Sequence, residues 1–544
     1  MINKNLFAGL TVGIVALPLS MALAIAVGVP PQNGLYTAII AGIFAALFGS
    51  SKINISGPTA AFVVILIPIV QEFGLTGLLM CGLMSGIILL MMGVFRLGNL
   101  IELIPYPVTV GFTTGIAVVI AIFQIKDFFG LEIEHFTGHF HQKVYILISS
   151  FHTFKVDELI VGLLTLAILI LWPKTKSKIP AALIALSIVT VGVYIFNTNN
   201  PSNPIATIFS SFAYDINGIK GNGIPPIPLQ LTLPWSDYSL ADINLDLFYK
   251  LLPHSVAIAI LGALESLLCA VISDGMTGNR TNPNKELIGQ GIANLVVPFF
   301  GGIPATAAIA RTVVNIKSGA TSKIASVIHS VFILLAILFF APYLSYLPMA
   351  SLSALLLIVA WNMSEIGHFK NIIKVAPRND VYVLLVCFIL TVLLDMQIAV
   401  GVGMALASIL FIKRTIDLYS IELVNNEHEK LHPDIPDCMA IYDINGPMFF
   451  GAAQKALKTL VSTKEDIKVI IINMENVTMI DMTALVAFKS IIENFKNNDK
   501  KLVICGLSNR IQKKFIKAEI VFNNTNLVLQ ENLDNAIDEI LCKN

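Results

Sequence analysis

The sequence predicts a polytopic α-helical membrane protein of about fourteen spans, built as two inverted halves of seven, with a small α/β domain at the C-terminal end. The 544 residues are 56% hydrophobic and 13% charged, with a mean hydropathy of +0.79, whereas a soluble domain carries about 25% charged residues. Apolar runs of bilayer length recur along residues 6–413, broken by Gly, Pro, Asn and charged clusters. Charge then thickens: of 35 Lys+Arg residues, 21 lie in residues 1–414 and 14 in the much shorter remainder. The expected boundaries are a membrane domain over 1–415, a linker over 416–436 and a cytoplasmic domain over 437–544.

The formal net charge of +0 argues against nucleic acid as a partner, because no basic surplus exists to displace counterions. The six cysteines, Cys81, Cys269, Cys387, Cys438, Cys505 and Cys542, are scattered without the spacing of a zinc site or a disulfide framework, so no metal or other cofactor is expected. Residues 1–10 lack a basic start and cleavage site, and the apolar stretch from Leu6 reads as a first span. Neither a Walker-type phosphate loop nor a G-x-S-x-G elbow is present, so the chain is not expected to be an enzyme, and transport would be secondary or passive.

Cationic residues orient the spans. The N-terminus and the loops after even-numbered spans hold fifteen Lys/Arg, among them Lys4, Lys52, Arg96, Arg280, Lys323 and Arg414. Loops after odd-numbered spans hold five: Lys126, Lys143, Lys155, Lys220 and Lys250. Both termini are therefore expected in the cytoplasm, and the Asn/Pro-rich loop from Phe196 to Asp246 outside.

Two unusually short segments resemble each other: Ser56-Gly57-Pro58-Thr59-Ala60-Ala61 and Ile303-Pro304-Ala305-Thr306-Ala307-Ala308. Seven spans precede the long external loop and seven follow it, and an odd number per half inserts the second half upside down. Paired short, Gly/Pro-interrupted segments in matching positions of inverted halves point to a transporter binding site. Pro–Thr also begins an ordinary helix well. Two half-helix N-termini meeting at the midplane would each bring about half an elementary charge and free amides for an oxyanion. Ala60, Ala61, Ala307 and Ala308 would admit the ligand to the backbone, and Thr59 and Thr306 would add hydroxyl donors.

Arg311 and Glu265 are expensive residues to place in otherwise apolar segments, costing about 2.5–3.5 kcal/mol or more for an arginine or acid at the centre. Arg311 reads either as a counter-charge for a bound anion or as a side chain snorkelling to the cytoplasmic surface near Lys317. Glu265 reads either as a proton carrier that couples transport or as a neutral carboxyl holding helices together. His254 and His329 lie near expected span ends and read as interfacial, and Glu102 reads as structural.

In the C-terminal part, Met439–Ile444, Lys468–Met474 and Lys501–Cys505 read as strands. Ala452–Leu460, Thr483–Phe495, Ile511–Lys517 and Asn532–Leu541 read as helices, giving an α/β layer fold. Asp481 before Thr483 is either a plain helix cap or part of a regulatory phosphorylation site at Thr483.

At these residues the chain resembles the SulP family of anion transporters over essentially its whole length. The matching stretches are Ala16-Leu17-Pro18-Leu19-Ser20-Met21-Ala22, Ser56 to Phe62, Gly262-Ala263-Leu264-Glu265-Ser266, and Gly301 to Thr312. The soluble part is similar to the STAS domain, including Asp481-Met482-Thr483-Ala484 at its signature loop. Within the family the chain most resembles the bacterial aerobic C4-dicarboxylate branch, through Gly221-Asn222-Gly223-Ile224-Pro225, Ala307 to Arg311, and Val359 to Glu365. The resemblance implies a core and a gate domain moving against each other, a homodimer in the bacterial inner (plasma) membrane, and proton-coupled uptake of succinate, fumarate or aspartate. It also implies a STAS domain able to engage a cytoplasmic protein partner. A sulfate or bicarbonate carrier of the same family and an uncoupled anion channel are the alternatives.

Three departures from the family pattern carry expectations. Glu265 and Cys269 stand where sodium-using members have Asp and Thr, which implies a proton in place of sodium, because a thiol suits a sodium cage poorly. Leu19 and Leu23 stand where many members have Gln and an aromatic residue, which implies a pocket for an anion with a short carbon body. At the STAS loop only Asp481 and the Thr483 hydroxyl persist from the Asp-Ser-Ser-Gly of its phosphorylated relatives.

Overall fold

A computed structural model describes residues 2–99, 104–133, 136–175, 177, 179–216, 219–236, 244–394, 396–417, 420–423, 438–448, 466–522 and 526–541. The first helices are α1 (Ile2–Val27) and α2 (Pro31–Phe48), followed by a two-residue strand, β1 (Ser56–Gly57), and α3 (Ala60–Val94). After them come α4 (Tyr106–Phe123), α5 (Ile125–Phe128), α6 (Phe140–Ser149), α7 (Val156–Leu171), α8 (Ala181–Asn199) and α9 (Ile208–Ser211). Proline sets several starts: α2 begins at Pro31 and α4 follows Pro105, places where a missing N–H costs nothing. α3 is broken at Gly74, whose φ of 66° and ψ of −169° are open to glycine and strained for any other residue, so it holds two helices, 60–73 and 75–94.

The described part of the long loop has structure of its own. It folds a hairpin, β2 (Ala213–Ile216) against β3 (Ile219–Asn222), and ties to the turn before the next helices through Ile208 N–H to Leu347 O and Phe209 N–H to Ser345 O. The second half then mirrors the first: α10 (Leu245–Thr277), α11 (Pro283–Val296), the two-residue strand β4 (Thr306–Ala307), α12 (Ile309–Lys317), α13 (Ile324–Leu344), α14 (Met349–Met363), α15 (Ile366–Val375), α16 (Arg378–Leu393) and α17 (Met396–Asp417). Among the described residues ten helical segments are long and apolar enough to cross a membrane. These helices pack in two groups: α1–α3 with α10–α13, and α4–α8 with α14–α16. Between the groups, α1 touches α8 and α14, and α3 touches α4.

β1 and β4 pair antiparallel, with Ser56 opposite Ala307 and Gly57 opposite Thr306. The ribbon joins two chain segments about 250 residues apart, as two oppositely inserted halves require.

The chain divides into two units, Met1–Ala405 and Leu406–Asn544. The second holds a five-stranded sheet in the order β5 (Ser420–Leu423), β6 (Met439–Asn445), β7 (Val469–Asn473), β8 (Lys501–Cys505), β9 (Leu527–Gln530). β5 is antiparallel to β6 and the other pairs are parallel. Helices α18 (Met482–Asn497), α19 (Asn509–Lys517) and α20 (Leu533–Leu541) complete the layers. One face carries Phe488, Ile491, Phe495 and Phe515, and the other Ile537 and Ile540. Strands β6–β8 and these three helices lie where the pattern expects them. Residues 420–423 fall in the expected linker yet form β5, because pairing with β6 satisfies their backbone. β9 is too short to show a period of its own. The helix expected at Ala452–Leu460, with Glu102 and Cys542, lies outside the described residues.

Asp481 caps α18 by accepting the Ala484 N–H at 2.8 Å, while the Thr483 side chain is exposed beside it. Asp481→Ala should therefore destabilise the soluble unit by about 0.5–2 kcal/mol, whereas Thr483→Ala should stay within about 0.5 kcal/mol of wild type. Denaturant titration of the full-length protein, read by protease protection of residues 466–522, checks both.

Candidate functional site

The site is built on the ribbon. Beyond β1 and Pro58 comes Thr59, the N-cap of α3, and immediately after β4 comes Ala308, the N-cap of α12. Because the pairing is antiparallel, the two helices start at opposite ends of this two-residue ribbon and turn their N-termini toward it from either side; a helix leaves those first-turn amides without intrahelical partners. Ala60, Ala61, Thr306, Ala307 and Ala308 are all buried at this junction.

Polar side chains hold the ribbon at each step. Asn294 of α11 clamps Ala305 on both sides, donating to its carbonyl and accepting its N–H at 2.8 Å each. Gln290, one turn earlier, donates to Ser56 Oγ at 2.8 Å. Ala308 N–H donates to Ile55 O at 2.8 Å, and the Ile55 N–H donates to Thr312 Oγ1 at 3.0 Å. Glu286, 2% exposed, accepts the Ser50 and Ser51 amides and the Asn54 side chain, which fixes the approach to β1. The sequence carries a signal for part of this clamp: Gln290 and Asn294 sit at i, i+4 spacing on one helix face.

The two threonines differ, which their shared motif does not reveal. Thr306 Oγ1 lies 2.7 Å from Ser266 Oγ and donates to Gly262 O at 3.1 Å, so its proton is already used against α10. The Thr306 hydroxyl thereby ties β4 to α10. The Thr59 hydroxyl is buried with no hydrogen-bond partner, as is that of Ser20 on α1.

Arg311 decides between its two readings. It is 2% exposed and does not snorkel. Its Nη2 donates to Pro58 O across the ribbon, while Nε and Nη1 have no partner. The three ion pairs among the described residues all lie elsewhere, at Lys155–Glu132, Lys220–Asp215 and Lys250–Asp246. A buried guanidinium with two unused donors is therefore placed beside two positive helix ends. Gly57 makes this possible, since a Cβ there would run into Nη1.

Glu265 is 7% exposed on α10, next to Ser266, and makes no ion pair with Arg311. Cys269, one turn on, donates its thiol to Thr312 Oγ1 at 3.2 Å and so ties α10 to α12. Leu19 and Leu23 are buried on α1, which packs against both α3 and α12. His329 departs from the interfacial reading: it is 0% exposed, because α13 packs closely on α2 through Ser326 to Gly42 O and Ser330 to Ala38 O. Among the described residues no group of three or more His, Cys, Asp or Glu is arranged to hold a metal ion.

Residues 2–387 match the model of the sulfate permease family. The chain belongs to that family. Residues 430–537 match the STAS domain. YvdB of Bacillus subtilis (strain 168), provisionally named as a sulfate transporter, is 40% identical over 93% of this chain and 92% of its own. The bicarbonate transporter BicA of Picosynechococcus sp. (strain ATCC 27264 / PCC 7002 / PR-6) is 27% identical over 95% and 91%. The transmembrane domain of a cyanobacterial BicA superposes with a TM-score of 0.62 at 26% identity, covering 75% of this chain and 97% of that one. SLC26A9 shares the fold with a TM-score of 0.83 at 16% identity, covering 100% and 90%. These are transporters and not enzymes, and this member of the sulfate permease family is a multi-pass anion transporter with a C-terminal STAS domain.

An anion on Arg311 should stabilise the fold by mass action, by about 2.7 kcal/mol at a hundredfold excess over Kd. The expected outcome is an anion-dependent rise in unfolding temperature in wild type that Arg311→Gln and Gly57→Val both lose. Differential scanning fluorimetry in detergent with succinate and sulfate measures it.

Proposed function

We propose that this chain is a secondary active carrier that takes up small anions, C4-dicarboxylates such as succinate, fumarate and aspartate first among them, together with a proton. The observation that carries the reading is the Arg311 guanidinium, buried between two helix N-termini with two donors unused and no carboxylate partner among the described residues. Such a locus suits an oxyanion, since the amides and guanidinium together supply donors and positive charge in a low-dielectric place. Thr59 contributes a free hydroxyl, Ala60, Ala61, Ala307 and Ala308 admit the ligand to the backbone, and the buried apolar Leu19 and Leu23 suit a short carbon body.

Coupling rests on Glu265. Its ionised carboxylate would add negative charge on α10 next to Ser266, which touches Thr306 of the ribbon, and its protonated form would remove that charge when the substrate binds. Proton and anion would then bind together and be released together, as symport requires. The substrate reading has a rival in sulfate or bicarbonate, which the names of the relatives favour. In this proposal both termini lie in the cytoplasm of a bacterial inner membrane, the carrier forms a homodimer, the helix groups act as core and gate, and the STAS domain docks a cytoplasmic protein, with Thr483 as its regulatory phosphorylation site.

The test is uptake into proteoliposomes of labelled succinate, fumarate, aspartate, sulfate and bicarbonate, with the outside acidified. Succinate or fumarate should accumulate against its gradient, and Glu265→Gln should abolish accumulation while leaving exchange. Sulfate accumulation with no entry or competition by dicarboxylates would overturn the substrate reading. Conductance without pH-driven accumulation would establish a channel.

A further inference from the structure

A second positively biased place lies away from the ribbon. A cavity of about 410 Å³ runs along the first half of α3, lined there from Val64 to Glu72, and is closed by Val119 and Phe123 of α4, Thr391 of α16 and His254 of α10. It therefore lies where the two helix groups face each other. Eight residues of helix span about 12 Å, and Val64 is about 6 Å along the axis from Ala60, where α3 begins. The inner end of the cavity comes within about one helical turn of the proposed binding ribbon, and its other end, at Glu72, stops just short of the Gly74 break.

Lys143 lines this cavity. It sits on α6, a helix of ten residues and too short to cross a membrane. The residue is 4% exposed, and its ammonium lies 4.9 Å from the Phe123 ring centroid and 5.7 Å from that of Phe136. Two aromatic faces hold the charge, and no carboxylate pairs with it among the described residues. Burial lowers the ammonium to about 8, so it is mainly charged at neutral pH yet reactive as an amine. The other titratable groups on the cavity are His139, His254 and the exposed Glu72, which lies within electrostatic reach of Lys250. A structural lysine would be expected at the surface or in an ion pair, since lysine is almost never buried unpaired.

We propose that Lys143, seated on Phe123 and Phe136, forms an outer capture site for a small oxyanion, which binds there before passing along α3 to the half-helix junction. The cavity has room for a sulfate or a C4-dicarboxylate with its water. Lys143 binds as a point charge with three donors, and an arriving carboxylate or sulfate oxygen supplies the counter-charge that no described carboxylate gives it in an ion pair. Its place on the entry route rests on the carrier reading above; the binding of an anion there does not.

The full-length protein in nanodiscs is treated with an amine-acylating reagent, and modification of Lys143, Lys155 and Lys220 is quantified by peptide mass spectrometry. Succinate or sulfate at about twice its Kd should slow acylation of Lys143 about threefold by mass action. Lys155 and Lys220, ion-paired to Glu132 and Asp215, serve as internal controls for screening. Equal rates at Lys143 with and without both anions overturn the site. In proteoliposomes, Lys143→Gln should raise KM for entry from the outer face about tenfold with kcat within about twofold, the sign of lost uniform binding. Lys143→Arg should restore KM, and entry from the cytoplasmic face should not change. An unaltered outer KM overturns the entry role. Absence of flux in wild type would instead sink the carrier reading, while protection of Lys143 would still establish the site.

Discussion

Two helix N-termini that face each other across a two-residue ribbon repel, and this structure is organised around holding them there. Each N-terminus brings about half a positive charge, and Arg311 adds a whole one between them. A half charge facing a full one at about 6 Å costs roughly 1.4 kcal/mol at an effective dielectric near 20. The antiparallel β1–β4 pairing, the double clamp of Asn294 on Ala305 and the Gln290–Ser56 contact oppose that repulsion. Those bonds are buried, so losing a partner would leave a polar group unsatisfied in an apolar place. The junction is thus kept positive by construction, and an anion is the species that relieves it.

Both sides of the junction belong to one helix group, α1–α3 with α10–α13. The polar ties converge from α10, α11 and α12, so ribbon and half-helices would move as a rigid piece. Contacts to the second group pass through α1 and α3, and the cavity holding Lys143 lies along that seam. In an alternating-access carrier the seam is where a route must open, while the binding site stays intact within its own group.

Much of this was legible in the residues. Pro58-Thr59 and Pro304-Ala305-Thr306 announced two short helices in matching positions, and Arg311 and Glu265 announced themselves by their cost in an apolar segment. Strands β6–β8 and helices α18–α20 of the soluble unit followed from period and length, whereas β5 and β9, of four residues each, carry no pattern without the strands beside them. Thr306 and Thr59 occupy like positions in like motifs, yet one hydroxyl is spent on Gly262 and the other is free, because only Thr306 has α10 against it. His329 looked interfacial from its distance to a span end, but close packing of α13 on α2 buries it.

The sequence alone determined the membrane class, the approximate spans, the paired half-helices and the family, since these depend on hydropathy and local pattern. Tertiary structure decided where Arg311 points, which threonine hydroxyl has a partner, how Glu286 steers the chain into β1, and that Lys143 faces a cavity instead of solvent. Each of those turns on a distant partner: Arg311 on Pro58, Glu286 on Ser50, Lys143 on Phe123. Side-chain direction follows from packing between segments, and no local period encodes it.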